Sequence, residues 1–445
     1  MPPSHARVAA FDILFRVEKS DSFVSELLHS DRCSHLSSAD RGLMTELVMG
    51  VLRWRSVIDS AIAAVASHPI AKIDAEVLTA LRLGTYQLGW LDRIPPRAAI
   101  YESVELIKAA RKRSAAPFAN AILRKLAQSG RRLGPAAIES VSNAKDLAQT
   151  SAHPGWLVER WAAQFGFKSA QHICRYDQTI PVTAIRLRFP SAEQSLQSEG
   201  VTLESGVLLL NARRVISGDV TRTKAFTDNL VAIQDEASQL VATLLGSGSR
   251  FLDCCAAPGG KTWALADRNP GATIVAVELH PHRAELLKKR VRVPNLQVIS
   301  ADVRDLKIDT PFDRVLVDAP CSGTGTLARN PDIKWRLQPH DLTDLHARQV
   351  EILRSAMKHV AVGGRLIYAT CSLEREEDEA VIDDAIQTNQ SFRVIPMSDV
   401  VQPLRDTGEL VLGDTNSLIN GAFLRTIPGI HNCDGFFVST LERVS

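Results

Sequence analysis

The sequence has no apolar run long enough to cross a membrane. A transmembrane helix needs about 20 consecutive apolar residues, and no run among these 445 residues approaches that length. Asp12 and Arg16 interrupt the apolar stretch near the N-terminus, so a secretory signal is not predicted either. We therefore expect a cytoplasmic protein without a membrane partner.

The cysteines are not spaced as metal ligands. The chain contains 7 of them, an odd number, with no C-x-x-C pair, and Cys254 is followed directly by Cys255. Zinc sites usually place their cysteines in closely spaced pairs, whereas unpaired thiols are typical of a reducing compartment. The sequence therefore predicts no metal, and its free thiols agree with a cytoplasmic location.

Two phosphate-binding motifs are missing as well. A P-loop requires a glycine five positions before the Gly of Gly-Lys-Thr, and the residue at that position before Gly260 is Cys255. No G-x-G-x-x-G motif for a dinucleotide pyrophosphate is found either. These absences disfavour an NTPase and an enzyme that uses a dinucleotide cofactor.

The net charge of +2 is too small to indicate a nucleic-acid partner, but the charge is unevenly distributed. Between Arg93 and Arg132 there are ten basic residues and only two acidic ones. Such a stretch is either a phosphate-binding surface or a solvated helix face. The candidate RNA contacts within it are Arg111, Lys112, Arg113, Arg124 and Lys125.

Hydrophobic spacing divides the chain into three parts. Residues 1–130 carry apolar side chains three and four positions apart and no strand pattern, which predicts an all-α bundle. Residues 246–445 alternate short apolar runs with helical patterns, which predicts a doubly wound α/β sheet. Residues 150–245 predict a small α+β module, and residues 130–154 resemble a linker. The predicted fold class is thus multidomain α and α/β.

Within the middle module, one segment has the alternation of a half-buried strand. Polar and apolar residues alternate over Val182–Phe189, which predicts a strand with Arg186 and Arg188 on its outer face. The apolar run Val207–Leu210 is the candidate partner of this strand.

A glycine-rich turn in the last part predicts a cofactor pocket. It follows the predicted strand Arg250–Cys255 and precedes a helix, so its backbone can approach a ligand closely. Glu278 and Asp302 end the next two predicted strands, where carboxylates can bind ribose hydroxyls and an adenine amino group. S-adenosylmethionine has both of these groups and no phosphate, so the missing phosphate motifs favour it. The predicted cofactor-binding residues are Cys255, Ala256, Ala257, Pro258, Gly259, Gly260, Lys261, Glu278, Asp302 and Asp318.

Two further cysteines lie just beyond predicted strands. Cys321 follows Arg314–Asp318, and Cys371 follows Arg365–Ala369. Ligands of open α/β sheets bind in the crevice beyond the carboxyl ends of the strands. Both thiols are therefore expected at one cleft, beside the cofactor pocket, which favours covalent catalysis on a bound substrate.

The motifs of the last part resemble those of the RNA cytosine-5 methyltransferases, the Sun/NOL family. The matching stretches are Gln234–Gln239, Phe251–Lys261, Asp318–Gly325, Arg329–Trp335 and Ala369–Ser372 with Glu376 and Glu377. The first part, through Phe118–Arg124, resembles the end of a NusB-like RNA-binding domain. This order of domains is that of the RsmB family, which methylates bacterial small-subunit ribosomal RNA.

The resemblance implies a NusB-like domain at 1–130 and a Rossmann-like methyltransferase domain at 246–445. It implies methyl transfer from S-adenosylmethionine to carbon 5 of a cytosine in 16S ribosomal RNA, through a covalent cysteine–cytosine adduct. The expected partner is this RNA, and the chain is expected to act as a monomer.

The resemblance also assigns unequal roles to the two thiols. In the RNA enzymes the Cys of Thr-Cys attacks, which is Cys371 here, while the Pro-Cys thiol, Cys321, helps release the product or takes part in proton removal. Asp318 is expected to contact the cytosine edge or the cofactor. DNA cytosine-5 methyltransferases attack with the Pro-Cys thiol instead, which would reverse the roles. Transfer RNA or large-subunit RNA as substrate, or a non-catalytic RNA-binding protein, are the alternative functions.

Overall fold

The computed structural model describes residues 3–20, 22–28, 30, 33, 35–129, 134, 137–387 and 389–445. The chain forms two compact units. The first comprises Met1–Ile180 with Leu327–Arg336, and the second comprises Pro181–Thr326 with Leu337–Ser445. Within the described ranges, no helix combines the length and the apolar character needed to cross a membrane.

Among the described residues, strands occur only from Thr183 onward, where they alternate with helices. In chain order the helices are α1 His5–Lys19, α2 Val24–Leu28, α3 Ser38–Arg53, α4 Arg55–Val65, α5 Ala75–Trp90, α6 Pro96–Ala109, α7 Ala116–Gln128, α8 Ala144–Thr150, α9 Gly155–Phe165, α10 Phe167–Asp177, α11 Ser191–Ser198, α12 Lys224–Thr227, α13 Glu236–Leu244, α14 Gly260–Arg268, α15 Pro281–Arg290, α16 Ile333–Arg336, α17 Asp341–Met357, α18 Glu379–Gln387 and α19 Met397–Asp406. The strands are β1 Thr183–Leu187, β2 Thr202–Ser205, β3 Ala212–Ser217, β4 Val231–Ile233, β5 Arg250–Asp253, β6 Thr273–Glu278, β7 Leu296–Ser300, β8 Phe312–Asp318, β9 Val360–Thr370, β10 Phe392–Ile395, β11 Ile419–Asn420, β12 Phe423–Thr426 and β13 Phe436–Arg443.

The first unit confirms the predicted all-α bundle. Its helices bury the apolar stripes that the spacing predicts, and Leu47, Ile58 and Leu81 lie at the centre of one continuous core. Burying such a side chain contributes roughly 1.5–3 kcal/mol. The helices are thus held mainly by packing of their apolar faces rather than by their intrinsic propensity.

The predicted linker at 130–154 is wrong in its second half. Residues 144–150 form α8, which begins after Asn143, and the Asn143 side chain accepts a hydrogen bond from the Asp146 backbone N–H at 2.9 Å. An N-cap followed by an acidic first turn is a helix start signal, and here it outweighs the loop-like composition. Residues 130–133, 135 and 136 of the predicted linker lie outside the described residues.

A ten-residue segment from the second half of the chain belongs to the first unit. Lys334 is fully buried, and its ammonium donates to the carbonyl oxygens of Arg53 and Ala152, each at 2.9 Å. The Trp335 indole N–H donates to the Leu52 carbonyl at 2.6 Å. Leu52 and Arg53 end α3, where backbone carbonyls lack partners within the helix and attract a cation. The segment therefore caps this helix.

The second unit contains a small antiparallel sheet in the order β2-β3-β1-β4. The predicted pairing of Val207–Leu210 with β1 is wrong, because β1 pairs with β3 and β4. Leu208 and Leu209 are instead buried in the core, and Leu209 forms an isolated bridge with Leu410. A short apolar run predicts that its side chains are buried, but it does not predict which strand the run pairs with. The pairing depends on contacts with residues that are distant in sequence.

The outward orientation predicted for Arg186 is also wrong. Arg186 is only 9% exposed, and its guanidinium lies 2.8 Å from Asp267 and above the Trp263 ring. Arg188, which is half-buried, pairs with the same carboxylate at 2.7 Å. An arginine can be buried where a carboxylate and an aromatic face replace its water. α14 supplies both groups.

The main sheet of the second unit confirms the predicted Rossmann-like architecture. Its strand order is β11-β12-β13-β9-β8-β5-β6-β7, with β10 paired to β13. The five strands from β9 to β7 are parallel to one another, and β13 is antiparallel to β9. The loops that follow the parallel strands therefore meet along one edge, where ligands of such sheets bind.

Candidate active site

A cavity of about 320 Å³ opens at the carboxyl edge of the parallel strands. It brings together the sequence-predicted residues Cys255, Ala257, Lys261, Glu278, Asp302, Asp318, Cys321 and Cys371. The other predicted cofactor residues, Ala256, Pro258, Gly259 and Gly260, build the turn next to it. The cavity thus places the two thiols beside the strand-end carboxylates Glu278, Asp302 and Asp318.

The glycine turn needs glycine for conformational and steric reasons. Gly259 has a φ of 101°, and a Cβ added there would lie 2.9 Å from a methyl group of Val291. The Gly259 N–H donates to the Ala256 carbonyl at 2.8 Å, which closes the turn, and α14 begins at the next residue. Gly259 is therefore required by its positive φ and by its packing against Val291.

Glu278 ends β6 as a buried carboxylate that is already oriented. One of its oxygens accepts from the Ala257 backbone N–H at 3.3 Å, and the other accepts from the His280 backbone N–H at 3.0 Å. Each oxygen of a carboxylate has a further lone pair. Glu278 can therefore accept one more hydrogen bond on each oxygen from the hydroxyl groups of a ligand bound in the cavity.

Asp302 follows β7 and is held by Arg304. The Arg304 guanidinium donates to both carboxylate oxygens. The shorter bond to Oδ1 is 3.0 Å long and comes from Nε, and the shorter bond to Oδ2 is 2.6 Å long and comes from Nη2. These hydrogen bonds lower the pKa of Asp302 below its ordinary value. Asp302 is therefore an ionised acceptor at the rim of the cavity.

Lys261 and Asp318 form an ion pair inside the cavity. The Lys261 Nζ atom lies 2.7 Å from the Asp318 Oδ2 atom and 4.9 Å from the centre of the Phe436 ring. The ammonium thus orients the carboxylate and is itself held over an aromatic face. Sequence reasoning missed Phe436, because only the pairing of β13 with β9 brings this residue to the cavity.

The two thiols are in contact. The Sγ atoms of Cys321 and Cys371 lie 3.3 Å apart, and geometry allows either one to be the hydrogen-bond donor. β8 and β9 are adjacent with Asp318 opposite Ala369, so the turns that follow them start side by side. The Gly325 N–H donates to the Cys371 carbonyl at 2.9 Å and links the two turns.

The surroundings of the Cys321 thiol shift its pKa. The hydrogen bond with Cys371 and burial raise the pKa of the Cys321 thiol well above its usual value. The raised pKa favours the protonated form of Cys321, which can serve as the donor in its hydrogen bond with Cys371. A protonated thiol beside a second sulfur can stabilise negative charge on that sulfur.

Hydrogen bonds that the sequence does not reveal fix the backbone next to Cys371. Thr370, which precedes it, donates to the buried Asp378 carboxylate at 2.5 Å, and Arg425 donates to the same carboxylate at 2.7 Å. Arg425 comes from β12, far along the chain from the cysteine. This chain of bonds fixes the backbone immediately before the thiol.

The predicted RNA-binding residues lie in the first unit. Arg111, Arg113, Arg124 and Lys125 are exposed, whereas Lys112 is half-buried and pairs with Asp74 at 2.9 Å. The other basic residues of the stretch include Arg131 and Arg132, which lie outside the described residues. Among the described residues, no group of three or more His, Cys, Asp or Glu side chains is arranged to hold a metal ion.

Two family models match the chain. Residues 243–442 match the model described as 16S rRNA methyltransferase RsmB/F, and residues 4–128 match the NusB family. These matches coincide with most of the main-sheet region and with α1 to α7.

Full-length relatives and a solved structure agree with these models. The probable ribosomal RNA small subunit methyltransferase B of Bacillus subtilis is 32% identical over 460 residues, which cover 100% of both chains. The ribosomal RNA small subunit methyltransferase B of Pseudomonas putida is 35% identical over 77% of this chain and 80% of the relative. The crystal structure of PH0851 has the same fold, with a TM-score of 0.76 and 20% identity over 98% of this chain and 99% of that one. The chain therefore belongs to the ribosomal RNA small subunit methyltransferase B family, with a NusB region followed by an RsmB/F methyltransferase region.

Proposed function

We propose that the protein transfers a methyl group from S-adenosylmethionine to carbon 5 of a cytosine in 16S ribosomal RNA, through a covalent bond between Cys371 and the base. The observation that carries the proposal is the 3.3 Å contact between the Cys321 and Cys371 sulfurs in the same cavity as the cofactor residues. Cys321 and Cys371 are two of seven free cysteines, and their sulfurs meet at the cavity. A contact between thiols at a cavity favours a chemical role over simple packing. The substrate follows from relatives that are named for small-subunit RNA and align with the whole chain.

The polar groups of the cavity fit S-adenosylmethionine. Glu278 offers free lone pairs to the two ribose hydroxyls, and Asp302 is an ionised acceptor for the adenine amino group. Lys261 is paired with Asp318, so the glycine turn offers no unpaired cation to a phosphate. When bound, S-adenosylmethionine supplies an electrophilic methyl group on a positively charged sulfur.

Cys371 acts as the nucleophile in this proposal. Carbon 5 of cytosine is a poor nucleophile while the ring is aromatic, and addition of a thiolate at carbon 6 makes it enamine-like. As the donor in its hydrogen bond with Cys371, the Cys321 thiol stabilises negative charge on the Cys371 sulfur. Asp318, oriented by Lys261, accepts a hydrogen bond from the cytosine amino group. These contacts hold carbon 5 against the cofactor pocket.

Cys321 assists release. A water molecule takes the proton from carbon 5, and the electron pair of that carbon–hydrogen bond restores the 5,6 double bond and breaks the bond between carbon 6 and the Cys371 sulfur, which leaves as a thiolate. A departing thiolate leaves faster when its charge is stabilised, and the Cys321 thiol lies in contact with that sulfur, with a raised pKa that favours its protonated form. Cys321 and Cys371 thus have separate roles, release and attack.

RNA docking is assigned to the first unit. The exposed side chains Arg111, Arg113, Arg124 and Lys125 lie within the region that matches the NusB family. Basic side chains on a helical surface bind the phosphate backbone without reading its sequence. A cytosine inside a duplex cannot reach a cavity of this kind, so the target base is unpaired or flipped out.

The experiment that tests this function is methyl transfer in vitro. Purified protein is incubated with methyl-labelled S-adenosylmethionine and, separately, with 16S ribosomal RNA, 23S ribosomal RNA and total transfer RNA, and the labelled nucleoside is identified by mass spectrometry. We expect 5-methylcytosine in 16S RNA alone. Label in transfer RNA or 23S RNA alone would contradict the proposed substrate, a different methylated base would contradict the chemistry, and no label in any RNA would contradict both.

A further inference from the structure

One carboxylate lies between the two cysteine turns. Glu377 is fully buried, and its Oε1 atom accepts from the Ser322 backbone N–H at 2.7 Å. Its Oε2 atom accepts from the Ser372 hydroxyl at 2.5 Å and also from the Ser322 hydroxyl. Ser322 directly follows Cys321, and Ser372 directly follows Cys371. The same side chain therefore binds the residue after each thiol.

A third element braces this carboxylate. Gln349, a buried residue of α17, donates from its side-chain amide to Glu377 Oε1 at 3.0 Å and to the Pro320 carbonyl at 2.8 Å. Pro320 directly precedes Cys321. The Tyr368 hydroxyl donates to the Glu377 backbone carbonyl at 2.7 Å and fixes the chain that carries the carboxylate. Donors from both turns and from a helix thus converge on Glu377.

A buried carboxylate is costly unless hydrogen bonds replace its water. Here both oxygens are satisfied by donors that the two turns supply, so the carboxylate is stable only while both turns are in place. Conversely, without it the Ser322 backbone N–H would lose its acceptor. The two serine hydroxyls, 3.2 Å apart, would exchange a charged acceptor for each other. The arrangement therefore couples the position of one turn to that of the other.

We propose that Glu377 is the positioning residue of the cysteine pair, which sets the distance between the Cys321 and Cys371 sulfurs by binding the serine that follows each of them. This inference rests on the proposed function, because it matters for catalysis only if Cys321 acts on the Cys371 sulfur during release. The negative charge of Glu377 also raises the pKa of Cys321, after the larger effects of the Cys371 hydrogen bond and burial. Glu377 acts through the two turns and does not itself touch the base.

The distance between the sulfurs can be measured without RNA or cofactor. Diamide, a mild oxidant, takes two electrons and two protons from a thiol pair, so that a disulfide forms and the diazene is reduced to a hydrazine. The rate of disulfide formation between Cys321 and Cys371, followed by peptide mass spectrometry, reports how often the two sulfurs meet. This readout stays informative even if the protein methylates no RNA.

Three variants separate position from charge. Glu377→Ala removes the acceptor, and we expect disulfide formation between the two cysteines to slow by about 10- to 100-fold. Glu377→Gln keeps the shape and one acceptor, and the serine hydroxyls can rotate to accept from its amide. We therefore expect Gln to restore the rate to within a few-fold of the unmodified protein. The double variant Ser322→Ala with Ser372→Ala removes both hydroxyl donors to Oε2 and leaves the carboxylate with the backbone N–H of residue 322 and the Gln349 amide on Oε1. We expect disulfide formation to slow in this variant too, though less than in Glu377→Ala.

Glu442→Ala is the matched control. Glu442 is a glutamate of β13 that pairs with the exposed Arg393, and its loss should leave the rate of disulfide formation unchanged. With 16S RNA, Glu377→Ala should lower the maximal rate of methyl transfer and leave the KM for RNA unchanged. An unchanged disulfide rate in both Glu377→Ala and the double serine variant would overturn the inference. A Glu377→Gln variant that forms the disulfide as slowly as Glu377→Ala would also overturn it. If the wild-type enzyme still methylates 16S RNA, either of these results contradicts only the role of Glu377 and not the proposed function.

Discussion

The Sγ atoms of Cys321 and Cys371 lie 3.3 Å apart, although 50 residues separate them in sequence. The contact arises because β8 and β9 are neighbouring parallel strands, and each thiol lies in the turn after its strand. Parallel strands place such turns on one edge of the sheet. The hydrogen bond with Cys371 and burial raise the pKa of Cys321 and favour its protonated form, which supports the proposed role of Cys321 as the donor to the attacking sulfur.

Replacing Lys261 should impair methyl transfer more than cofactor binding. Lys261→Met keeps the length of the side chain but leaves the Asp318 carboxylate without its partner at 2.7 Å. We expect single-turnover methyl transfer to 16S RNA to slow by roughly 10²- to 10³-fold, the usual effect of removing one preorganised electrostatic group. Lys288→Met, which breaks an exposed pair with Glu285, is the control and should be neutral. A rate within threefold of the wild type for Lys261→Met would exclude a role for this ion pair.

Glu278 should decide cofactor affinity. In Glu278→Gln the side-chain NH2 group faces the backbone N–H of Ala257 or His280, donor against donor. The side chain is then no longer held in the orientation that serves both ribose hydroxyls. Hydrogen bonds to charged groups contribute about 1.5–3 kcal/mol, so we expect the Kd for S-adenosylmethionine, measured by calorimetry, to rise by about 10- to 100-fold. Glu285→Gln, on the exposed surface of α15, should not change the Kd. Equal affinity of Glu278→Gln and wild type would mean that the ribose binds elsewhere.

Asp253 should make stability depend on pH. It ends β5 almost fully buried, with a hydrogen bond from the Thr262 hydroxyl at 2.7 Å, and burial raises its pKa from 3.8 to about 7. Between these values the folded state holds a proton that the unfolded state has released, so this contribution to stability is present below pH 3.8 and is lost as the pH rises to about 7. Denaturant titrations of Asp253→Asn between pH 4 and pH 7 should give a flatter profile.

The control for this titration is an exposed aspartate. Asp309→Asn should show the same decrease in the free energy of unfolding with pH as the wild type. If the profile of Asp253→Asn is as steep as that of the wild type, Asp253 is ionised in the folded protein over this range, and the pKa argument fails.

The basic side chains of α7 should contribute to RNA binding through phosphate contacts. Arg124→Glu with Lys125→Glu reverses two exposed charges, and we expect weaker binding to 16S RNA fragments. The slope of log K against log salt concentration should fall by roughly 0.7 to 0.9 for each phosphate contact that is lost. Lys145→Glu with Lys168→Glu makes the same change in net charge at other exposed positions of the first unit. Identical affinities and salt slopes for the two double variants would indicate that the α7 residues form an ordinary solvated helix face and do not bind RNA.

The sequence predicts the edge of the main sheet well because strand, turn and motif are local signals. The glycine turn, Glu278, Asp302 and both thiols are each placed by the strand that precedes them. Once the strands are parallel, these side chains must meet, and no distant contact has to be guessed.

The residues that sequence reasoning missed are those placed by distant contacts. Phe436 reaches the cavity only because β13 is antiparallel to β9, and Arg425 reaches Asp378 only through the neighbouring strand β12. Gln349 has no motif of its own and matters because α17 lies against the cysteine turns. Arg186 was assigned to the surface because its strand alternates, whereas Asp267 and an aromatic ring compensate its burial.

Trapping of the covalent protein–RNA adduct tests the unequal roles of the two thiols most directly. Wild-type, Cys321→Ala and Cys371→Ala proteins are incubated with 16S RNA and S-adenosylmethionine, denatured, and analysed for protein that migrates with RNA. We predict that Cys321→Ala accumulates the adduct through Cys371, because it attacks but cannot assist release, and that Cys371→Ala forms no adduct and transfers no methyl group. An adduct in Cys371→Ala and none in Cys321→Ala would contradict this account, because Cys321 would then be the nucleophile.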